Sequence, residues 1–384
     1  MEAGSQRNSS ELALLGGQLL GMMDDADRSE ASGNGAGHIE SNIRYSVIVP
    51  AYNAAHTIEP CLQALFNQSV PRDNYEVIVI DDGSTDNTAE LADRYAVRLF
   101  RQSHAGPATA RNLGAKLAAG KYLLFTDSDC TPTRNWIEEI VRPLEEDGKV
   151  VAAKGVYKTL QTGLIARFAQ VEFEEKYAGL RRRQNIDFVD TYSAAFRRDA
   201  FWAGGAFDPT FAEASNEDTQ LSFNLAAQGR RIVFAEKAIV YHRHSASLGG
   251  YLRRKWRHGF WRVRVYRQHP EKIAGDSYTP RSTQLQFIMM ALMAGTFLFP
   301  TLWKYTLAAA ALFVAASLPF VRRALAVGLD VAVAVPFILF LRAVALGLGL
   351  IWGVLTLPLA NQSKPLAQSP KEPLREKTSC VHDG

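Results

Sequence analysis

The sequence predicts an α/β sandwich with a mostly parallel central sheet, followed by C-terminal transmembrane helices. Two observations predict this architecture. From Tyr45 onward, short runs of apolar, β-branched residues alternate with helical stretches, and such strands belong to parallel sheets that helices cover on both faces. A strongly apolar stretch then runs from about Phe287 to Ala360, whereas the chain before it has mixed polarity.

The α/β elements follow one another in a regular order. The predicted strands lie in the runs SVIVPAY, YEVIVIDD, VRLF and YLLFTDSDC. Helices are predicted between them, near Thr57–Asn67, Asn87–Tyr95 and Pro107–Ala119. A further helix ends at Gly229, because glycine is typical just past a helix, and it leads into the strand RIVFAEKAIVYH.

The composition divides the chain into five parts. These are a disordered segment over residues 1–43, an α/β domain over 44–250, a basic amphipathic juxtamembrane segment over 251–283, a transmembrane region over 284–360 with two to four crossings, and a polar tail over 361–384. The first part is rich in Gly, Ser and Asp and cannot bury enough apolar area to offset its ordering entropy. It also lacks the pattern of a secretory signal, so we expect none.

Three apolar stretches make up the transmembrane region, namely Phe287–Leu302, Tyr305–Val321 and Val331–Leu359. The first two approach the ~17–20 residues that a spanning helix needs, and buried core helices are the alternative. Arg342 interrupts the third, at a cost of about 2.5–3.5 kcal/mol at a bilayer centre, so that stretch either spans or lies in the interface. Arg322 and Arg323 favour the cytoplasmic side. We therefore expect a multi-pass protein of the inner (cytoplasmic) membrane, with its α/β domain facing the cytoplasm.

Cysteine content and charge exclude several classes of protein. Cys61, Cys130 and Cys380 are too few and too irregularly spaced for a disulfide framework or a zinc site. The formal net charge is only +4, and much of the basicity lies in Tyr251–Arg267. Because this segment precedes a membrane hairpin, we expect membrane lipids as partners and no nucleic acid, with a solvated basic helix as the alternative.

Carboxylates follow two of the predicted strands. Asp81 and Asp82 come directly after YEVIVI, and Asp127 and Asp129 come directly after YLLF. In parallel sheets, ligands bind outside the carboxyl ends of the strands. Since side chains alternate along an extended chain, Asp127 and Asp129 are predicted to lie on one side and share one Mg²⁺ or Mn²⁺.

Five segments together resemble glycosyltransferase family 2. In order, they are SVIVPAYNAAHTIEPCLQALFNQ, VIVIDDGSTDNTAELA, GPATARNLGA, YLLFTDSDC and NEDTQLSFNLAAQGRRIVF, and they cover about residues 44–245. The resemblance implies the nucleotide-sugar-binding GT-A fold, inversion at the anomeric carbon and dependence on a divalent metal (Mn²⁺ or Mg²⁺). It implies a membrane-attached, bacterial-type hexosyltransferase, with a UDP-linked donor and a lipid-linked or glycan acceptor, in cell-envelope glycan or glycolipid synthesis.

The resemblance also implies which residues bind the donor. They are Pro50, Ala51, Tyr52, Asp81, Asp82, Arg111 and Asp127. Asp82 would accept a hydrogen bond from the base, with Asp81 as its neighbour, although the loop DDGSTD would also serve simply as a turn or helix cap. For Arg111, the alternative is an exposed helix arginine of little energetic consequence.

The metal and the proton acceptor are likewise implied by matching motifs. Asp129 would coordinate the metal most directly, Asp127 would contact the metal or the donor ribose, and His242 is preferred over His244 as a further ligand. An inverting transfer needs one base for the acceptor hydroxyl, and the Glu-Asp motif assigns it to Asp218, with Glu217 as runner-up or acceptor-orienting partner. The alternative for both acids is stabilisation of a helix N-terminus.

Two other functions remain open at this point. A non-catalytic membrane scaffold would keep the fold without turnover, and a nucleotidyltransferase would share the α/β architecture but lacks here a glycine-rich, lysine-containing loop after the first strand. The segment RRKWRHG departs from the Gln-x-x-Arg-Trp motif of processive synthases, so processive synthesis is in doubt. No motif reports on the acceptor, which we expect to contact residues about 155–215.

Overall fold

The structure, a computed structural model, describes residues 42–211, 216–277 and 279–357. The predicted disorder up to residue 41 and the predicted polar tail lie outside these residues.

The described strands form one mixed sheet of eight. They are β1 (Tyr45–Ala51), β2 (Tyr75–Asp81), β3 (Arg98–Arg101), β4 (Tyr122–Phe125), β5 (Cys130–Pro132), β6 (Val150–Lys158), β7 (Ala194–Arg197) and β8 (Arg231–His242), in the spatial order β3-β2-β1-β4-β7-β6-β8-β5. β1 pairs in parallel with β2 and β4, and β2 pairs in parallel with β3. β7 runs antiparallel to both β4 and β6. The carboxyl ends of β1, β2 and β4 therefore meet at one edge of the sheet.

Helices cover this sheet and continue beyond it. They are α1 (Ile58–Phe66), α2 (Thr88–Ala92), α3 (Pro107–Leu117), α4 (Trp136–Glu146), α5 (Leu164–Leu180), α6 (Arg198–Ala203), α7 (Glu217–Ala227), α8 (Leu248–Gln268), α9 (Arg281–Phe297), α10 (Trp303–Leu325) and α11 (Leu329–Thr356). The predicted α/β sandwich is confirmed. Its β1 and β2 strands are buried along their whole length, as strands covered on both faces must be.

Two helices are long and apolar enough to cross a membrane by length and composition. They span Pro300–Leu325, which includes a short 3₁₀ turn before α10, and Leu329–Thr356, which is α11. The first predicted apolar stretch corresponds mainly to α9, which begins at Arg281 instead of Phe287 and has 17 residues.

α11 packs along α8 through closely spaced glycines. A Cβ atom on Gly349 would lie 2.1 Å from the Trp256 carbonyl oxygen, and one on Gly353 would lie 2.6 Å from that of Phe260. On the facing helix, a Cβ on Gly259 would lie 2.2 Å from the Leu346 carbonyl oxygen. The two backbones can approach this closely only because these positions lack side chains.

Arg342, in the middle of α11, is buried and paired. It is 2% exposed, and its Nη1 donates to Glu172 Oε1 of α5 at 2.7 Å. Its Nη2 donates to Gln286 Oε1 of α9 at 2.5 Å. The sequence analysis placed this charge either at the bilayer centre or in the interface, and neither position included a protein partner. The structure instead pairs it with the α/β domain, which shields it from both lipid and water.

Candidate active site

The two aspartates after β4 lie close together, but in a turn and not along an extended strand. β4 ends at Phe125, and the Cys130 backbone N–H donates to the Asp127 carbonyl at 3.0 Å. Ligand atoms of Asp127, Asp129 and Cys130 all lie within 4.8 Å of one another. The predicted pair is thus brought together by chain reversal, so the alternation argument given for it was wrong.

Strand pairing brings His242 to this turn. β5 runs antiparallel to β8 with Cys130 opposite His242, and His242 Nε2 lies 3.1 Å from Asp129 Oδ2. The His244 ring instead contacts Gln170 Oε1 at 3.2 Å. The preference for His242 over His244 at the aspartates agrees with this geometry.

These groups have the chemistry of a site for a hard divalent cation. Burial acts to raise the pKa of Asp129, but the hydrogen bond and charge of His242 hold that pKa below its usual value. Burial and the two aspartates raise the pKa of Cys130 well above its usual value, so its thiol stays protonated and is a poor ligand. Two carboxylates and one imidazole remain, a donor set that suits Mn²⁺ and, for the carboxylates, Mg²⁺.

Arg111 of α3 is buried, which overturns the alternative of an exposed helix arginine. Only 3% of it is exposed. Its Nη2 donates to Asp127 Oδ1 at 2.7 Å and its Nη1 donates to Glu217 Oε1 at 2.8 Å. Because both terminal nitrogens bind protein carboxylates, Arg111 fixes the turn after β4 relative to the start of α7.

Asp82 has its acceptor capacity filled by the loop before α3. Its Oδ1 accepts from Gln102 Nε2 at 2.6 Å and from the Ala105 N–H at 2.9 Å. Its Oδ2 accepts from the Gly106 N–H at 2.9 Å and lies 2.9 Å from His104 Nδ1. A carboxylate offers about four acceptor positions, so Asp82 orders this loop and would bind a base only by releasing one of these donors.

Asp81 has one carboxylate oxygen that no described residue hydrogen-bonds. It is fully buried at the end of β2, and its Oδ1 accepts from the Ser84 N–H at 3.0 Å. Its Oδ2 lies 2.9 Å from Arg101 Nε but makes no hydrogen bond among the described residues. Asp81 thus keeps one oxygen that is held only by an ion pair, whereas both oxygens of Asp82 are hydrogen-bonded.

The other predicted donor-binding residues end β1. Pro50 and Ala51 are buried in that strand, so only their strand-end position can contribute to a pocket. Tyr52 is 47% exposed and stacks on His104, with ring centroids 4.1 Å apart. His104, which the sequence analysis did not single out, thus joins Tyr52 in an exposed aromatic pair beside the ends of β1 and β2.

The Glu-Asp motif opens α7, so both acids lie in the first turn of a helix. Glu217 is 2% exposed and bound to Arg111, and both acids line the cavity described below. Burial, followed by the negative charges of Glu217 and Asp190, raises the pKa of Asp218 well above its usual value. In its ionised form, Asp218 is therefore a stronger proton acceptor than an ordinary aspartate.

One cavity of about 360 Å³ joins these groups. Asp127, Asp129, His242 and Asp218 line it together, and α5 and α8 contribute a second set of lining residues: Glu172, Lys176, Arg254, Lys255, Arg257 and Arg262. The site therefore has an acidic end at the sheet edge and a basic wall from α8.

Sequence comparison places this geometry in a family. Residues 46–205 match the profile described as "Glycosyl transferase family 2". Residues 46–205 are therefore a glycosyltransferase family 2 domain. The enzyme transfers a sugar from a nucleotide-sugar donor.

This glycosyltransferase is similar in sequence to two curated relatives and in fold to one solved structure. It is 28% identical over 230 residues to Glycosyltransferase AglE of Haloferax volcanii, covering 58% of this chain and 73% of that protein. It is 39% identical over 119 residues to Uncharacterized glycosyltransferase YibD of Escherichia coli, covering 30% of this chain and 34% of that protein. The mannosyltransferase PcManGT of Pyrobaculum calidifontis, solved with GDP-Man and Mn²⁺, superposes with a TM-score of 0.53 at 21% identity, over 89% of this chain and 96% of that one. That structural likeness confirms the GT-A fold.

Asp190 and Tyr192 of the glycosyltransferase cavity, and Lys154 behind them, have no counterpart in the sequence motifs. Lys154 of β6 is fully buried and contacts Asp190 and Tyr192 Oη, the latter at 2.6 Å. A lysine within the apolar run VVAAKGVY was a usable signal, because a buried charge requires a partner. Asp190 itself had no such signal.

The basic wall of the glycosyltransferase is held by one buried carboxylate. Glu172 accepts from Arg342 and from Tyr251 Oη, the latter at 2.5 Å, and its Oε2 lies 3.1 Å from Lys255 Nζ. Burial lowers the pKa of Lys255, and Glu172 acts against that shift. Burial and the charge of Lys255 lower the pKa of Lys176 to about 7. Glu172 therefore sets the charge at one wall of the cavity, which the sequence alone left open.

Proposed function

We propose that this enzyme is an inverting, metal-dependent hexosyltransferase that moves a sugar from a UDP-linked donor to a lipid-linked or membrane-proximal glycan acceptor, in the synthesis of cell-envelope glycans or glycolipids. One observation carries the proposal. A single cavity has Asp127, Asp129 and His242 at one end and Asp218, a carboxyl group with a raised pKa, facing the same space. An inverting transfer needs both a site for a charged diphosphate and a base on the acceptor side.

Asp129, Asp127 and His242 would hold Mn²⁺ or Mg²⁺. The ion would supply positive charge that offsets the charge of the departing diphosphate. The protein's part is to keep the carboxylates charged and in place. The His242 contact favours the ionised form of Asp129, and Arg111 fixes Asp127.

The base of the donor would bind at the ends of β1 and β2. Asp81 Oδ2 is a buried acceptor without a hydrogen bond in the described residues, and the N3–H group of uracil is a suitable donor. The exposed Tyr52–His104 pair offers an aromatic face beside it. These features support a uridine nucleotide, with Asp81 in place of Asp82 as the group that contacts the base.

The transfer is a single displacement. The acceptor hydroxyl oxygen attacks the anomeric carbon from the face opposite the diphosphate, and the bond between that carbon and the diphosphate oxygen breaks. The hydroxyl proton passes to the Asp218 carboxylate, whose raised pKa makes it a better proton acceptor than an ordinary aspartate. Arg254, whose charge favours the ionised form of Asp129, lines the same cavity and would offset charge on the released diphosphate.

Attachment to the membrane is part of the proposal. Two helices meet the length and composition of membrane spans, and Arg322 and Arg323 lie near the end of the first. These features support a multi-pass protein of the inner membrane with its α/β domain facing the cytoplasm. An acceptor held in that membrane would reach the cavity from the side of α5 and α8.

The test combines binding and product analysis on detergent-purified enzyme. A panel of nucleotide sugars is screened by thermal shift with and without Mn²⁺, and products are then analysed with membrane lipid extract as acceptor. We expect selective, Mn²⁺-dependent stabilisation by one uridine diphosphate sugar and release of UDP. Release of inorganic diphosphate would indicate a nucleotidyltransferase instead, and a folded sample stabilised by no nucleotide would favour a scaffold.

A further inference from the structure

A second and larger cavity, of about 640 Å³, lies where the α/β domain meets the apolar helices. It is lined by the end of α5, by residues before and at the start of α9, and by Pro319 and Arg323 of α10. Lys176 lines both this cavity and the catalytic one. The two cavities therefore share a wall at this point of α5.

The acidic residues around this cavity already have cationic partners. Glu175 accepts from Arg323 at 2.5 Å, and Asp187 accepts from Lys272 Nζ at 2.6 Å. Asp276 is paired with Arg262. The acids therefore leave the remaining positive charge of the cavity uncompensated.

That remaining charge comes from three arginines. Arg182, Arg183 and Arg281 line the cavity, and within residues 42–211, 216–277 and 279–357 their side chains have no hydrogen bond or ion pair. All three are exposed. Guanidinium groups bind phosphate oxygens in a forked arrangement, so the cavity is suited to a phosphate group.

An apolar stripe leads away from the same arginines. Leu285, Ile288 and Leu292 are 39%, 55% and 49% exposed, and they follow Arg281 at spacings that place all four on one face of α9. A ligand with a phosphate in the cavity could therefore lay a hydrocarbon chain along the helix. Free inorganic phosphate would make no use of this stripe.

We propose that this cavity binds the phosphate headgroup of an anionic bilayer phospholipid, whose acyl chain lies along α9. The proposal rests on the membrane attachment proposed above and adds a specific lipid site to it. A bound headgroup would link α5 to the start of α9 and to the end of α10. It would thereby fix one wall of the catalytic cavity relative to the membrane.

The experiment measures lipid retention by native mass spectrometry. Detergent-purified full-length protein is titrated with phosphatidylglycerol or with phosphatidylcholine at matched concentrations. We expect the wild-type chain to retain phosphatidylglycerol at least about tenfold more strongly. The variant Arg182→Gln/Arg183→Gln/Arg281→Gln should lose this preference while still retaining phosphatidylcholine on its apolar helices.

A matched control separates this site from general charge. The variant Arg94→Gln/Arg134→Gln/Arg230→Gln removes the same charge from exposed positions outside the cavity and should keep the preference. The single substitution Ile288→Ser should weaken retention of phosphatidylglycerol. It should leave unchanged the ability of inorganic phosphate to compete for the cavity. Thermal unfolding of each variant checks that it is folded.

Each of the following results would overturn the proposal. The first is a cavity variant that still prefers phosphatidylglycerol over phosphatidylcholine. The second is a control variant that loses this preference to the same extent as the cavity variant. The third is a cavity variant with normal lipid retention but a raised KM for the acceptor, which would make the cavity an acceptor site. Retention of neither lipid by the wild-type chain would refute membrane attachment itself, whereas equal retention of both would refute this site alone. Sugar transfer from the donor is tested separately and does not depend on these outcomes.

Discussion

The pKa shifts at the two ends of the catalytic cavity have opposite effects on charge. At the sheet edge, called here the donor side, a close partner keeps the pKa of Asp129 low. On the acceptor side, formed by α5, α7 and α8, burial raises the pKa of Asp218 and lowers the pKa of Lys176 and Lys255. The donor side thus keeps Asp129 ionised, as the proposed cation site requires. On the acceptor side, burial shifts these groups towards their neutral forms.

The largest effect should come from removing the charge of the donor side. Asp129→Ala removes a carboxylate of the proposed cation site, so we expect complete loss of Mn²⁺-dependent stabilisation by the donor, together with loss of transfer. Thermal shift with and without Mn²⁺ measures the first and product formation the second. Asp93→Ala, at an exposed aspartate, is the control. A Mn²⁺-dependent shift that survives in Asp129→Ala would refute the proposed cation site.

Removing the proton acceptor should separate the two sides. Asp218→Asn keeps the shape of the side chain but cannot take the hydroxyl proton, so we expect kcat to fall by about 10³-fold while donor binding stays within a factor of about two. Steady-state kinetics and donor titration measure the two quantities, and Asp199→Asn serves as the exposed control. If Asp218→Asn transferred sugar at the wild-type rate, the base would have to be another residue.

Removing Arg342 should weaken only the acceptor side. Arg342→Met leaves the buried Glu172 carboxylate without its partner from α11, at a cost of about 3 kcal/mol in stability. We expect a lower unfolding temperature in detergent and a higher KM for the acceptor, with the donor-induced thermal shift retained. Arg322→Met, at an exposed arginine of α10, should have little effect. Equal destabilisation by both variants would show that the buried pair has no special role.

The smallest expected effect is a shift in pH dependence. Transfer requires Asp218 without its proton, so activity is lost as pH falls through the raised pKa of Asp218, at a higher pH than for an ordinary aspartate. Glu217→Gln removes a neighbouring negative charge, while its amide oxygen can still accept from Arg111. The acidic limb of kcat/KM should then move to lower pH by up to about one unit. In the exposed control Glu138→Gln, the acidic limb should stay in place. The same result in Glu217→Gln would contradict this coupling.

The same contrast explains how much could be predicted from the sequence. Donor-side residues follow directly after strands, and parallel strands end at a common edge, so a local motif such as IDDGSTD or TDSD predicts a place in space. Even there, the hydrogen bonds that occupy Asp82 come from the loop of residues 102–106, which lies about twenty residues away along the chain. The motif predicted the location of the pair but not which carboxylate this loop would occupy.

Acceptor-side residues could not be predicted in this way. Arg111 was predicted to bind the donor, but its pairing with Glu217 was not predicted, because that partner is 106 residues away. The charged stretch that contains Glu172 suggests either acceptor contact or a solvated helix, and its partner Arg342 is 170 residues away within an apolar segment. No local pattern links such positions, since the pairing exists only after α11 has packed on the α/β domain. The helix-start acids Glu217 and Asp218 were predicted because their motif is contiguous.

The close glycine packing of α11 against α8 has a consequence for where this enzyme can work. A fragment that ended before residue 247 would keep the strand ends and the proposed nucleotide pocket, but it would lack α8 and the helix that packs on it. Such a fragment would lack the basic wall of the cavity. Under the proposed function it would bind a donor without transferring its sugar, so transfer would require molecules that keep both α8 and α11.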